Sequence, residues 1–89
     1  MAYTVVLRPA AAKDLKQLPK PAQRRVGEAI DGLAKDPRPQ GCEQLKGTEG
    51  FLRIRVGEYR IIYVVESRKI IVLVLRIGHR KDVYRMLKR

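Results

Sequence analysis

Phe51-Leu52-Arg53-Ile54-Arg55-Val56-Gly57-Glu58-Tyr59-Arg60-Ile61-Ile62-Tyr63 is the stretch on which the fold turns. Leu52, Ile54 and Val56 alternate with Phe51, Arg53 and Arg55, a period of two that gives a strand one apolar and one basic face. Gly57-Glu58 suits a two-residue type II′ turn, with glycine at its first central position. That turn pairs Val56 with Tyr59, Arg55 with Arg60 and Ile54 with Ile61. Directly opposed residues share a face, so Arg55 and Arg60 lie side by side with Arg53 two residues along. Like charges so placed cost a few tenths to about 1 kcal/mol. Splayed into water they are merely tolerated; on a phosphate-binding surface they are useful, because guanidinium groups grip phosphate oxygens in bidentate fashion. Convergence of three arginines favours the polyanion-binding face over the solvated one.

Downstream, Tyr59 to Glu66 and Lys69 to Ile77 are further strand candidates, and Ser67-Arg68 is a second tight connection. With Phe51 to Val56 they make an antiparallel meander. Upstream, Tyr3 to Arg8 is β-branched and aromatic-rich and ends at Pro9, which predicts a first strand. Ala11, Leu15 and Leu18 then recur at helical spacing. Pro19 and Pro21 break that helix, and Pro21 suits the first turn of the next. Ala22, Val26, Ala29, Ile30 and Leu33 mark its apolar stripe, ending near Asp36. Asp36-Pro37-Arg38-Pro39-Gln40-Gly41 is loop. Val83, Met86 and Leu87 carry helical spacing through the basic tail, which predicts a short closing helix. The expected architecture is α+β in one domain spanning residues 1–89: an N-terminal strand, two helices, a three-stranded antiparallel meander and a short C-terminal helix, the helices packed on one face of a mostly antiparallel sheet.

Charge narrows the function classes. The chain has 89 residues, with 20 Lys plus Arg against 9 Asp plus Glu, a formal net charge of +11. Such a field attracts nucleic acid, acidic proteins and anionic membranes. At 45% hydrophobic the composition is that of a globular chain. Cys42 is the one cysteine, which excludes an intramolecular disulfide and fits a cytoplasmic location. Cys42 and His79 alone cannot form an all-Cys/His zinc site. No secretory leader is expected from Met1 to Arg8, and the longest apolar run, Ile70 to Leu75, is far too short to span a bilayer.

A second constellation, Arg76-Ile77-Gly78-His79-Arg80-Lys81-Asp82-Val83-Tyr84-Arg85, follows the last strand, where loops held by a rigid sheet often carry chemistry. His79 titrates near neutrality when unperturbed, although a lone histidine is more often a surface or capping residue. Arg80, Lys81, Arg85, Lys88 and Arg89 also read as a basic tail that tracks RNA non-specifically.

Leu45-Lys46-Gly47 followed by Arg53 through Tyr63 resembles the sheet of the RelE branch of the RelE/ParE toxin superfamily. Ile77-Gly78-His79-Arg80-Lys81-Asp82-Val83-Tyr84 resembles that family's C-terminal signature, and the Tyr3 strand, the Ala12-Lys13-Asp14-Leu15 helix and the Asp36-Pro37-Arg38 turn match too. The resemblance implies a type II toxin that enters the ribosomal A site and cuts mRNA by attack of a ribose 2′-hydroxyl, with no metal or other cofactor. It implies an acidic antitoxin, the ribosome and mRNA as partners. Arg53 and Arg55 fall where the family commonly has basic residues, often lysines; Arg60 falls on the Tyr-Arg strand motif, Arg80 on the C-terminal catalytic arginine and Tyr84 on the closing tyrosine. His79 occupies a position that varies. Lys46, Lys81 and Arg85 are the expected RNA-binding side chains.

Arginine in place of lysine matters chemically. It stays protonated, so Arg53 and Arg55 are expected to stabilise charge rather than move a proton. Acid–base work then falls to Tyr84 or His79, with Arg80 near the leaving 5′-oxygen. The alternatives are a ParE-like gyrase poison without nuclease activity, and a non-catalytic RNA-binding module. The latter needs stacking aromatics, and Phe51 is the one aromatic expected on the basic face. Membrane binding lacks an amphipathic helix with bulky anchors.

Overall fold

A computed structural model describes residues 2–87. The elements are β1 (Thr4–Leu7), α1 (Pro9–Lys16), α2 (Lys20–Lys35), β2 (Glu43–Gln44), β3 (Leu52–Val56), β4 (Tyr59–Glu66), β5 (Ile71–His79) and α3 (Val83–Met86). The α+β architecture is as expected. Pro9 and Pro21 open α1 and α2, where a missing N–H leaves no helical bond unmade. None of these helices is long and apolar enough to cross a membrane.

The strands form one sheet in the order β1-β5-β4-β3-β2. The β3–β4 register is the expected one, with Arg55 opposite Arg60 and Val56 opposite Tyr59. Gly57 sits at φ 59 while Glu58 keeps negative φ, the signature of the type II′ turn. Three features of the sheet differ in detail from the expectation. β1 pairs parallel with β5, so the sheet is mixed. The Ser67-Arg68 connection is a wider turn over Ser67–Ile70, with Glu66 facing Ile71 and Ile70 in the left-handed region at φ 56. β2 is an additional strand on β3, and it is too short to show a period.

The sheet is apolar on both faces at its centre. On one side α2 lays Val26, Ile30 and Leu33 against Leu52, Ile54, Ile61, Tyr63, Val72, Val74 and Ile77. Each such buried aliphatic side chain stabilises by about 1.5–3 kcal/mol. On the other side Ile62, Leu75 and Val83 form a smaller cluster, flanked by Phe51, Val64, Leu73 and Met86. The closing helix α3 therefore lies opposite α1 and α2 instead of beside them, because this second face also needs cover. Gly78 lets Met86 pack closely: a Cβ there would stand 2.9 Å from Met86 Cε, the movable end of a flexible side chain, and at an ordinary 3.5 Å from Val83 Cβ.

β1 ends at Leu7, which leaves the upper edge of β5 without a strand partner. Asp14 of α1 takes that place. Its Oδ2 accepts from the Ile77 N–H at 3.0 Å and from Arg76 Nε at 2.9 Å, and its Oδ1 from Arg76 NH2 at 3.0 Å. Asp14 is 8% exposed, and its hydrogen bond raises the Arg76 pKa further. Asp14→Ala should lower the unfolding free energy by about 2–3 kcal/mol in urea titration, since it strands a backbone donor and a half-buried cation. Asp14→Asn, which keeps an acceptor for Ile77, should lose less. Equal losses would rule out the edge-capping role.

Candidate nucleic-acid interface

Arg53 and Tyr84, 31 positions apart, meet on the α3 side of the sheet. Arg53 NH1 donates to the Tyr84 hydroxyl oxygen at 2.8 Å. Its NH2 group pairs with Glu43, which β2 sets directly across from it. The Arg53 side chain is only 15% exposed, and its buried Nε has no acceptor. Glu43 offsets part of its charge, and the low exposure leaves the remainder weakly screened.

Arg60 is more enclosed still, at 8% exposed. Its NH1 donates to the carbonyls of Gly57 (3.3 Å) and Tyr59 (3.2 Å), and its Nε is buried without an acceptor. Among the described residues no carboxylate pairs with Arg55 or Arg60. Arg55 is exposed directly opposite Arg60. The expected arginine face thus exists, but as a rim: its centre is the apolar cluster under α3.

His79 and Arg80 gather at the hairpin end of the sheet. Strand alternation turns Gly78 toward α3 and His79 to the α1–α2 side, edge-on to Tyr59 with ring centroids 6.0 Å apart at 87°. His79 Nδ1 accepts from the Lys81 N–H at 3.1 Å, and Nε2 lies 3.6 Å from Glu58 Oε1. Arg80 Nε is 3.1 Å from that same Glu58 oxygen, and the Arg80 N–H donates to the Glu58 carbonyl at 2.8 Å. The fold therefore joins Arg53 with Tyr84 and His79 with Arg80, and it does not join His79 to Tyr84. Lys46, Lys81 and Arg85 are exposed; Lys88 and Arg89 lie outside the described residues. Among the described residues no three His, Cys, Asp or Glu side chains converge as metal ligands.

Sequence reasoning missed Glu43. Its carboxylate is 60% exposed against Arg53, and no local pattern announced it, because a two-residue strand carries no period.

Comparison with known proteins identifies the family and the fold. The family model for the ParE toxin of type II toxin–antitoxin systems matches residues 5–84. The toxin RelG of Mycobacterium tuberculosis is 34% identical over 86 residues, covering 96% of this chain and 99% of that one. Among solved structures, the toxin–antitoxin complex RelBE2 from Mycobacterium tuberculosis matches at a TM-score of 0.80 and 29% identity, over 90% of this chain and 100% of its own. The archaeal RelE–RelB complex from Pyrococcus horikoshii matches at 0.78 and 33%, over 90% and 97%.

The Arg53–Tyr84 contact is exposed enough that stability should not depend on it. Tyr84→Phe should change the unfolding free energy by no more than about 0.5 kcal/mol. Val83→Ala, one residue away and fully buried, should cost about 2 kcal/mol. Chemical denaturation of both variants checks this, and a large loss for Tyr84→Phe would make Tyr84 a structural residue.

Proposed function

Because this chain belongs to the ParE toxin family of type II toxin–antitoxin systems, as a toxin of the RelE type, we propose that it is a metal-independent endoribonuclease that cuts mRNA in the ribosomal A site. The observation that carries the reading is the Arg53–Tyr84 pair beside Arg60, enclosed cations with unused donors next to a hydroxyl that can move a proton.

In this mechanism the scissile phosphate enters between Arg53, Arg55 and Arg60. A base removes the proton of the ribose 2′-hydroxyl, whose oxygen attacks the adjacent phosphorus. The P–O5′ bond breaks, leaving a 2′,3′-cyclic phosphate, and an acid returns a proton to the departing 5′-oxygen. The guanidinium groups stabilise the negative charge that grows on the phosphoryl oxygens, where preorganised donors have the largest effect. Arg53 donates to the Tyr84 oxygen, so the phenolic proton is left free, and Tyr84 suits the acid. Glu43, the carboxylate held at Arg53, suits the base. Arg80 remains the contact on the 5′-oxygen side, and the His79–Glu58 pair orients it. Lys46, Lys81 and Arg85 track the flanking RNA. The site is open, with Tyr84 at 36% exposure, which suits a toxin that relies on the ribosome to order its substrate and so acts in the cytoplasm.

The partner is an antitoxin, as in the related RelE–RelB complex, and the +11 charge favours an acidic one. Its association rate should fall by about 10-fold or more between low salt and about 1 M, where the Debye length is near 3 Å. Stopped-flow mixing measures this, and a salt-independent rate would remove electrostatic steering.

Primer extension on a defined mRNA in programmed ribosomes tests the activity, with mRNA alone in parallel. Wild type should give a discrete A-site cut that needs ribosomes and disappears with Arg80→Ala. Tyr84→Phe and Glu43→Gln should each slow single-turnover cleavage by roughly 10²–10⁴-fold. No cut in any lane, together with inhibited DNA supercoiling, would favour the ParE-like gyrase-poison reading.

A further inference from the structure

The face that carries Arg53 also holds two adjoining hollows. One, of about 510 Å³, is lined by Arg8, Arg38, Phe51, Val64 and Leu73, among others. The second, about 520 Å³, lies between Arg8, Phe51, Leu75, Arg76 and Met86. Both volumes fall within the range of small-molecule sites. Phe51, Leu75 and Arg8 line both, so the half-buried Phe51 ring stands where the two meet. Glu49 and Glu66 line the first, whereas the second has arginines and no carboxylate in its lining.

Phe51 shares its face with Arg53, two residues along the strand, or roughly 7 Å. That separation is of the order of the step between neighbouring nucleotides in an unstacked strand. An apolar floor, an aromatic ring and a guanidinium rim are the groups that single-stranded nucleic acid uses, stacking for the base and charge for the phosphate.

We infer that Phe51 and the Arg8–Arg76 hollow form a base-stacking subsite for the single-stranded RNA nucleotide next to the scissile phosphate. Arg8 takes the next phosphate, and Leu75 with Met86 forms the opposite wall. Glu49 and Glu66 repel the backbone from the far hollow and set the direction in which the strand leaves. This assignment rests on the nuclease reading and adds to it, in Phe51, an uncharged stacking group that takes no part in proton transfer.

The test is single-turnover cleavage in programmed ribosomes, with wild type, Phe51→Leu and Phe51→Tyr acting on intact mRNA. The same proteins act on mRNAs abasic at each nucleotide flanking the cut. On intact message Phe51→Leu, which keeps the apolar volume, should lose about 5- to 150-fold in kcat/KM, and Phe51→Tyr should stay near wild type. On one of the abasic messages wild type and Phe51→Leu should become equal, a convergence that a merely structural role for Phe51 would not produce. Equal penalties on intact and abasic messages would overturn the subsite. So would unchanged cleavage by Phe51→Leu with weakened antitoxin binding, which would assign the hollow to the partner protein. If wild type cuts nothing, the nuclease reading fails first; if wild type cuts and Phe51→Leu cuts equally well, only the subsite fails.

Discussion

A sheet that is apolar on both faces, in a chain with two substantial helices, is the constraint on which the rest of this structure depends. α1 and α2 cover one side. The other side would leave Ile62, Leu75 and their neighbours bare, and among the described residues the four-residue α3 is the element that covers them. Covering them fastens α3 by Val83 and Met86, and that anchoring holds Tyr84 over Arg53. One packing requirement thus assembles two halves of a site that are far apart in sequence. A helix so short cannot close the whole face, and the hollows around Phe51 are what remains open.

The site works against the stability of the fold that carries it. Opposed arginines repel, and Arg60 is buried with an unused donor and no carboxylate partner among the described residues. Local rules broken without an evident structural gain tend to mark functional positions. Compensation is uneven: Glu43 offsets Arg53 and Glu58 offsets Arg80. Arg55 and Arg60, with no carboxylate partner among the described residues, are where a polyanion gains most.

Elsewhere the same charge types serve architecture. Asp14 supplies at the edge of β5 the acceptor that a strand would have supplied, and it neutralises Arg76 in the same contact. The division of labour between His79 and Tyr84 follows from alternation along β5, which sends Gly78 to one side and His79 to the other. Two residues adjacent to one signature in the chain therefore serve different neighbourhoods.

Much of this was legible in the chain. The alternation from Phe51 to Tyr63, with Gly57 at the turn, determined the hairpin register and the face shared by Arg53, Arg55 and Arg60; the stripe from Ala22 to Leu33 determined α2. These are local signals, because strand and helix periods are properties of neighbouring residues. Only the tertiary structure decided that β1 joins β5 in parallel, that α3 takes the second face, that Glu43 stands against Arg53, and that Asp14 caps Ile77 from 63 positions away. Each of these pairs elements with no shared period, and a two-residue strand or a single carboxylate has none to show. Sequence can state which face of an element is apolar, but which partner covers it depends on how all the faces are buried at once.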